Sequence, residues 1–143
     1  MVMATAAACS IDDAPLELGI SQMDDEHRKL VHLFDEFTRC VKDGGTAAQV
    51  GSIISQALDC ANEHFEHEEA LAESAHYPNM ADEQSNHRIL RLNLTTLAGY
   101  AFSTKHCDAL VLEHLNRIRT LLREHIAGPD HDLAKYLWAK GYH

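Results

Sequence analysis

The sequence is short of positive charge. Its 12 lysines and arginines face 22 aspartates and glutamates, a formal net charge of -10 over 143 residues. Non-specific nucleic-acid binding needs the opposite, a basic footprint on one face, and an anionic membrane surface is an equally poor partner. No window approaches the roughly 20 apolar residues of a membrane span, so a soluble chain is expected. Cysteines are few and scattered: positions 9, 40, 60 and 107 lie twenty or more residues apart, which excludes a CxxC zinc or redox motif. The opening MVMATAAACS lacks the basic n-region and apolar h-region of a secretory signal. Reduced thiols in a cytoplasmic protein are the expectation.

Helix breakers are scarce as well. They fall at Gly44-Gly45, Pro78 and Gly128-Pro129, and long runs of helix-compatible residues lie between them. A fourth, weaker break near Ser103 to His106 rests on the apolar pattern alone. Between the breaks apolar residues recur at steps of three and four, the signature of one helix face. The first stripe is Met23, Leu30, Val31, Phe34, Phe37 and Val41, with His27 inside it. The second is Ile53, Ala57, Ala61 and Leu71, shared with His64 and Glu68. Leu90, Leu94, Leu97 and Ala101 continue upward from Glu83 and His87, and Val111, Ile118, Leu121 and Leu122 lead to His125.

Helices of about twenty residues joined by short loops are expected to pack as an all-α, antiparallel, up-down-up-down four-helix bundle. We expect one domain over residues 16–143, a flexible N-terminal arm over residues 1–15, and a short C-terminal helix in HDLAKYLWAKGYH, residues 131–143. Leu133, Tyr136 and Leu137 of that tail are placed to close one end of the bundle. Up-down topology brings the start of the first helix, the end of the second, the start of the third and the end of the fourth to that same end. His27, His64, Glu68, Glu83, His87 and His125 all converge there.

Histidine is the conspicuous excess, with 11 copies against 12 lysines and arginines. A lone histidine on an apolar face is more often a hydrogen-bonded core residue than a ligand. Four of them gathered with carboxylates are costly to bury without neutralisation, which di- or trivalent metal ions supply. Imidazole with carboxylate and no thiolate suits iron or manganese better than structural zinc. In ANEHFEHEEA, residues 61–70, a turn of about 100° per residue sends His64 and Glu68 inward. Glu63, Glu66 and Glu69 are expected to face solvent, and His67 sits at the stripe's edge. The pairs His64-x-x-x-Glu68 and Glu83-x-x-x-His87 each span about one turn, as ligands on bundle helices do. His114 lies about 16 Å along the helix from His125, too far to share an ion.

The segments LELGISQMDDEH (16–27), HFEHEE (64–69), HYP (76–78) and REHIAGPD (123–130), in this order and spacing, resemble the hemerythrin family and in particular its bacterial single-domain members. The resemblance covers residues 16–130. It implies a non-haem di-iron centre, oxo- or hydroxo-bridged, that binds dioxygen. His27 and His64 would bind the iron with an open position, His87 and His125 the other, and Glu68 and Asp130 would bridge the pair. Asp130 is also sensible locally, because Gly128-Pro129 should break the fourth helix and let the chain curl under the site.

One position departs from the family. Its third helix normally carries an HxxxH pair, and here the first of those places is Glu83. Replacing a neutral imidazole with a carboxylate lowers the charge of the centre by one unit and favours the oxidised metal. The expectation is a shorter-lived oxygen adduct, with a di-iron oxidase or peroxidase, or an iron or oxygen store or sensor, as alternatives. Glu26, beside His27, is expected to be exposed.

Overall fold

A computed structural model describes residues 17–102 and 108–143 of the chain. The described residues form α1 (Ser21–Lys42), α2 (Ala47–Ser74), α3 (Met80–Phe102), α4 (Asp108–His125), a π-helical turn over Ile126–Asp130 and α5 (His131–Ala139). No strand occurs among them, and the fold is an all-α bundle. The packing runs in a ring, α1 on α2, α2 on α3, α3 on α4 and α4 back on α1. The expected arm and the break near residues 103–106 lie outside the described residues.

Several of the helix ends have a local cause. The Asp24 carboxylate accepts the backbone N–H groups of Leu18 at 2.7 Å and Gly19 at 3.1 Å, tying the incoming chain to the first turn of α1. Gly19 holds φ +88°, and a Cβ there would strike the Trp138 indole, so the approach needs glycine. Thr46 and Gln49 form a reciprocal capping box at the head of α2. Its far end turns through His76, at φ +57°, into Tyr77 and α3.

The core divides into two apolar bodies with the polar cluster between them. The larger holds Leu30, Phe34, Phe37, Ile54, Phe65, Leu97 and Leu115 in the body of the bundle. The smaller gathers Ile20, Met23, Ala72, Ala75, Tyr77, Leu133, Ala134 and Leu137 at the end where α5 crosses. Two details of the expected stripes shift. On α2 the buried residues include Val50, Ile54, Ala57, Ala61, Phe65 and Ala72 while Ile53 and Leu71 are half-buried, because the helix is rotated to seat Phe65. On α5 Ala134 takes the inward place given to Tyr136, whose hydroxyl instead donates to the Ala75 and His76 carbonyls at 2.8 and 3.0 Å.

The junction of α4 and α5 also differs from the expected break. Pro129 lies inside the π turn, and the chain runs on as helix without leaving helical geometry. Five residues on a regular α-helix end about 140° apart. The wider π turn brings His125 and Asp130, five apart, onto one side, and such insertions recur at functional sites.

The tail therefore seals the end of the bundle through fully buried side chains. Leu133→Ala should cost about 2–5 kcal/mol of unfolding free energy, as such cavities do, measured by urea denaturation of the metal-free protein. A loss well under 1 kcal/mol would mean that α5 packs loosely.

Candidate metal centre

Seven polar side chains meet where the two apolar bodies face each other. His27 comes from α1, His64 and Glu68 from α2, Glu83 and His87 from α3, His125 from the end of α4 and Asp130 from the π turn. All are buried, and Glu68, Asp130, His27 and His87 have no exposed surface. The structure thus brings together every residue that the sequence pattern sent to this end, Glu83 included.

Their geometry defines two overlapping groups, each with ligand atoms within 4.8 Å of one another. One is His27, His64, Glu68 and Asp130, and the other Glu68, Glu83, His87, His125 and Asp130. The shared carboxylates divide their oxygens between the groups. Glu68 Oε2 lies 3.0 Å from His64 Nε2 and 3.5 Å from His27 Nε2, while Oε1 lies 3.0 Å from His87 Nε2. Asp130 Oδ2 is 3.0 Å from His27 Nε2, and Oδ1 is 2.9 Å from His125 Nε2. Glu83 Oε1 belongs to the second group alone, 3.2 Å from His87 Nε2 and 3.5 Å from His125 Nε2.

These atoms are close without being well bonded. His64 Nε2, His125 Nε2, Glu68 Oε2, Glu83 Oε1 and Asp130 Oδ1 are buried and make no hydrogen bond among the described residues. Native proteins rarely leave buried polar atoms so. His27 Nε2 and His87 Nε2 reach Asp130 Oδ2 and Glu68 Oε1 at 3.0 Å, but the remaining convergent atoms have no such partner, and a set of this kind suits metal ions. Ligands on opposite sides of an ion bonded at about 2.1 Å stand about 4.2 Å apart, within the observed spread.

The outward ring nitrogens explain why the inward ones are free to ligate. Glu26 accepts from His64 Nδ1 at 2.8 Å, and Glu69 accepts from His87 Nδ1 at 2.7 Å. An ionised carboxylate only accepts, so Nδ1 carries a proton, and Nε2 offers its lone pair to the cluster once its own proton is displaced. Glu26 also binds the exposed His67 through a short contact. Glu69 is steadied by Arg91, 3.6 Å away, whose guanidinium lies over the Phe65 ring that stacks on His87. Glu26 and Glu69 correct the sequence reading, which set both toward solvent. Only the lateral packing of α1 on α2 and of α2 on α3 turns them to these histidines. Glu63 and Glu66 are exposed as expected. His114 packs against Tyr100 with the rings tilted and their centroids 4.5 Å apart, outside both groups.

The electrostatics follow from three buried carboxylates among four imidazoles. Burial pushes His27 down, but its bonds to Asp130 and Glu68 overcome this and raise it to about 10. Burial likewise opposes His64 and His87, yet Glu68 with Glu26 raises the first to about 9, and Glu68 with Glu83 and Glu69 raises the second to about 10. Burial alone would raise Glu68, and the surrounding histidines hold it well below the usual carboxylate range. Glu83 goes the other way: burial raises it, and the neighbouring charges of Asp130 and Glu68 outlast the opposing pull of the His87 ring 3.2 Å away. Protons supply the positive charge when metal does not.

An all-helical bundle with paired histidines and shared carboxylates at one end defines a class of metal-binding helical domain. Residues 18–137 match the family model of the hemerythrin HHE cation-binding domain, and the chain belongs to that family. Searches of curated proteins and of solved structures give no significant match. No helix among the described residues is long and apolar enough to cross a membrane.

Two outcomes are expected. Glu69→Ala, which strips the acceptor from His87 Nδ1, should weaken metal affinity about 10–100-fold, while Glu66→Ala on the exposed face leaves it unchanged in the same titration. Equal affinities would show that the Glu69 contact does not support His87. The raised histidines stabilise the metal-free fold below their ordinary value of 6.5, and that contribution disappears as pH climbs through about 9 to 10. The lowered Glu68 and Asp130 contribute above their ordinary values of 4.5 and 3.8 and fade in acid. Metal-free protein should therefore be most stable at mildly acidic pH, and loading at pH 7 should release protons. A pH-stat that records no release would contradict this balance.

Proposed function

We propose that this chain is a non-haem di-iron protein that binds and reacts with dioxygen. The observation that carries the reading is the sharing of Glu68 and Asp130, each with one oxygen toward each histidine pair. Two carboxylates disposed in this way hold two ions side by side, and an imidazole–carboxylate donor set without thiolate suits iron, with manganese the nearest alternative. His27 and His64 would hold one iron, His87, His125 and Glu83 the other, with Glu68 and Asp130 common to both. Iron held there would supply the electrons that dioxygen accepts.

The chain's own residues shape that chemistry. The His27–His64 group offers four ligand atoms against five on the other side, which would leave an ion held there the more open to a small molecule. Leu133, Ala134, Leu137 and Met23 keep water from the adjoining end. Glu26 and Glu69 hold the protons on Nδ1 and keep Nε2 basic. Glu83 adds a third carboxylate, and its negative charge favours the oxidised centre. That favours irreversible turnover, as in a di-iron oxidase or peroxidase, over reversible oxygen carriage. The free thiols of Cys40 and Cys60 and the acidic surface suit a cytoplasmic protein whose ligand is a small molecule rather than nucleic acid.

Anaerobic titration with ferrous iron, metal counting and visible spectra after adding dioxygen test the reading. Two irons per chain and a visible band that decays irreversibly are expected, and Glu83→His should make that band longer-lived. A band that vanishes when oxygen is removed would make the chain a carrier or sensor. Failure to hold two metals would overturn the di-iron assignment.

A further inference from the structure

The metal ligands are sealed within the bundle, so an ion needs a way in. A cavity of about 350 Å³ lies against the cluster between the start of α3 and the π turn, lined in part by Tyr77, Asn79, Asp82, Glu83, Asn86 and Asp132. Asp82 and Asp132 stand exposed at its rim in the first turns of α3 and α5. Glu83, only 2% exposed, closes it from within. No lysine or arginine lines it. The Tyr77 hydroxyl also feels the field: burial raises its pKa against an opposing contact with Asn79, and the charges of Glu83, Asp132 and Asp82 add to the rise.

Glu83 is what joins this acidic mouth to the centre. The cavity meets its side chain, and its Oε1, buried and without a hydrogen-bond partner, faces His87 and His125. Hard divalent cations travel partly hydrated and exchange water for carboxylate oxygens stepwise. A carboxylate carries two oxygens, so residue 83 serves an arriving cation without withdrawing from the cluster, which an imidazole with one inward lone pair does not.

We propose that this cavity is the loading port for divalent cations, with Asp82 and Asp132 as the capture site and Glu83 as the side chain that passes the ion inward. The proposal rests on the di-metal reading above and adds a route to it. A mouth lined by charge of one sign focuses the field and raises the local cation concentration.

The test is stopped-flow uptake of Co²⁺ by the full-length metal-free chain, read from the visible absorption of bound cobalt. Asp82→Asn with Asp132→Asn is compared with a control pair, Asp59→Asn with Glu113→Gln, which removes the same charge from exposed positions elsewhere. We expect the port variant to load about tenfold more slowly at low ionic strength, the difference to shrink in concentrated salt, and the final count of two metals to be unchanged. Port and control variants that load at the same rate, or a port variant that loses a metal at saturation, would overturn the port. A wild-type chain that takes up no cobalt and no iron would sink the di-metal reading itself, and the route with it.

Discussion

Two buried carboxylates, Glu68 and Asp130, each face histidines on both sides and have no exposed surface, and the rest of the structure answers to them. Negative charge in that position is sustained only by positive charge within reach. The four imidazoles provide it by taking up protons, and metal ions provide it more fully by displacing them. The bundle end is therefore a place where folding, protonation and cation binding are one equilibrium, and its helices are held in register partly by this shared demand.

The surrounding architecture serves that demand at three distances. Nearest are Glu26 and Glu69, which orient His64 and His87 by their outer nitrogens. Next come the two apolar bodies, Phe65 and Leu30 on one side and Met23, Leu133 and Leu137 on the other, which lower the local dielectric and make each charge contact stronger. At the surface a cavity opens beside Glu83 between the exposed Asp82 and Asp132. Glu83 belongs to the cluster and also lines that cavity, so its carboxylate acts in both places.

Much of this was legible before any coordinates. Periodicity at three and four residues placed His27, His64, Glu68, Glu83, His87 and His125 on inward stripes, and up-down topology then required them to meet, because helix direction alone fixes which ends coincide. Asp130 came from the resemblance in REHIAGPD, but its route was misjudged: the chain continues through a π turn instead of breaking. Glycine followed by proline suggests an interruption without saying whether the backbone widens or ends. Ile53 and Leu71 on α2 and Tyr136 on α5 are half-buried while Ile54, Phe65 and Ala134 go inward, because an apolar stripe does not resolve a rotation of about one residue's arc.

Sequence by itself determined the helices, the end at which the polar residues gather and the family to which they belong, since these follow from the intrinsic period of the α-helix and from local spacing. Tertiary structure alone decided which oxygen of Glu68 and Asp130 faces which histidine, that Glu26 and Glu69 turn sideways to support the rings, and that a cavity opens beside Glu83. Those features depend on how far neighbouring helices rotate about their own axes, a quantity set by side-chain packing between segments distant in the chain and written in no single segment.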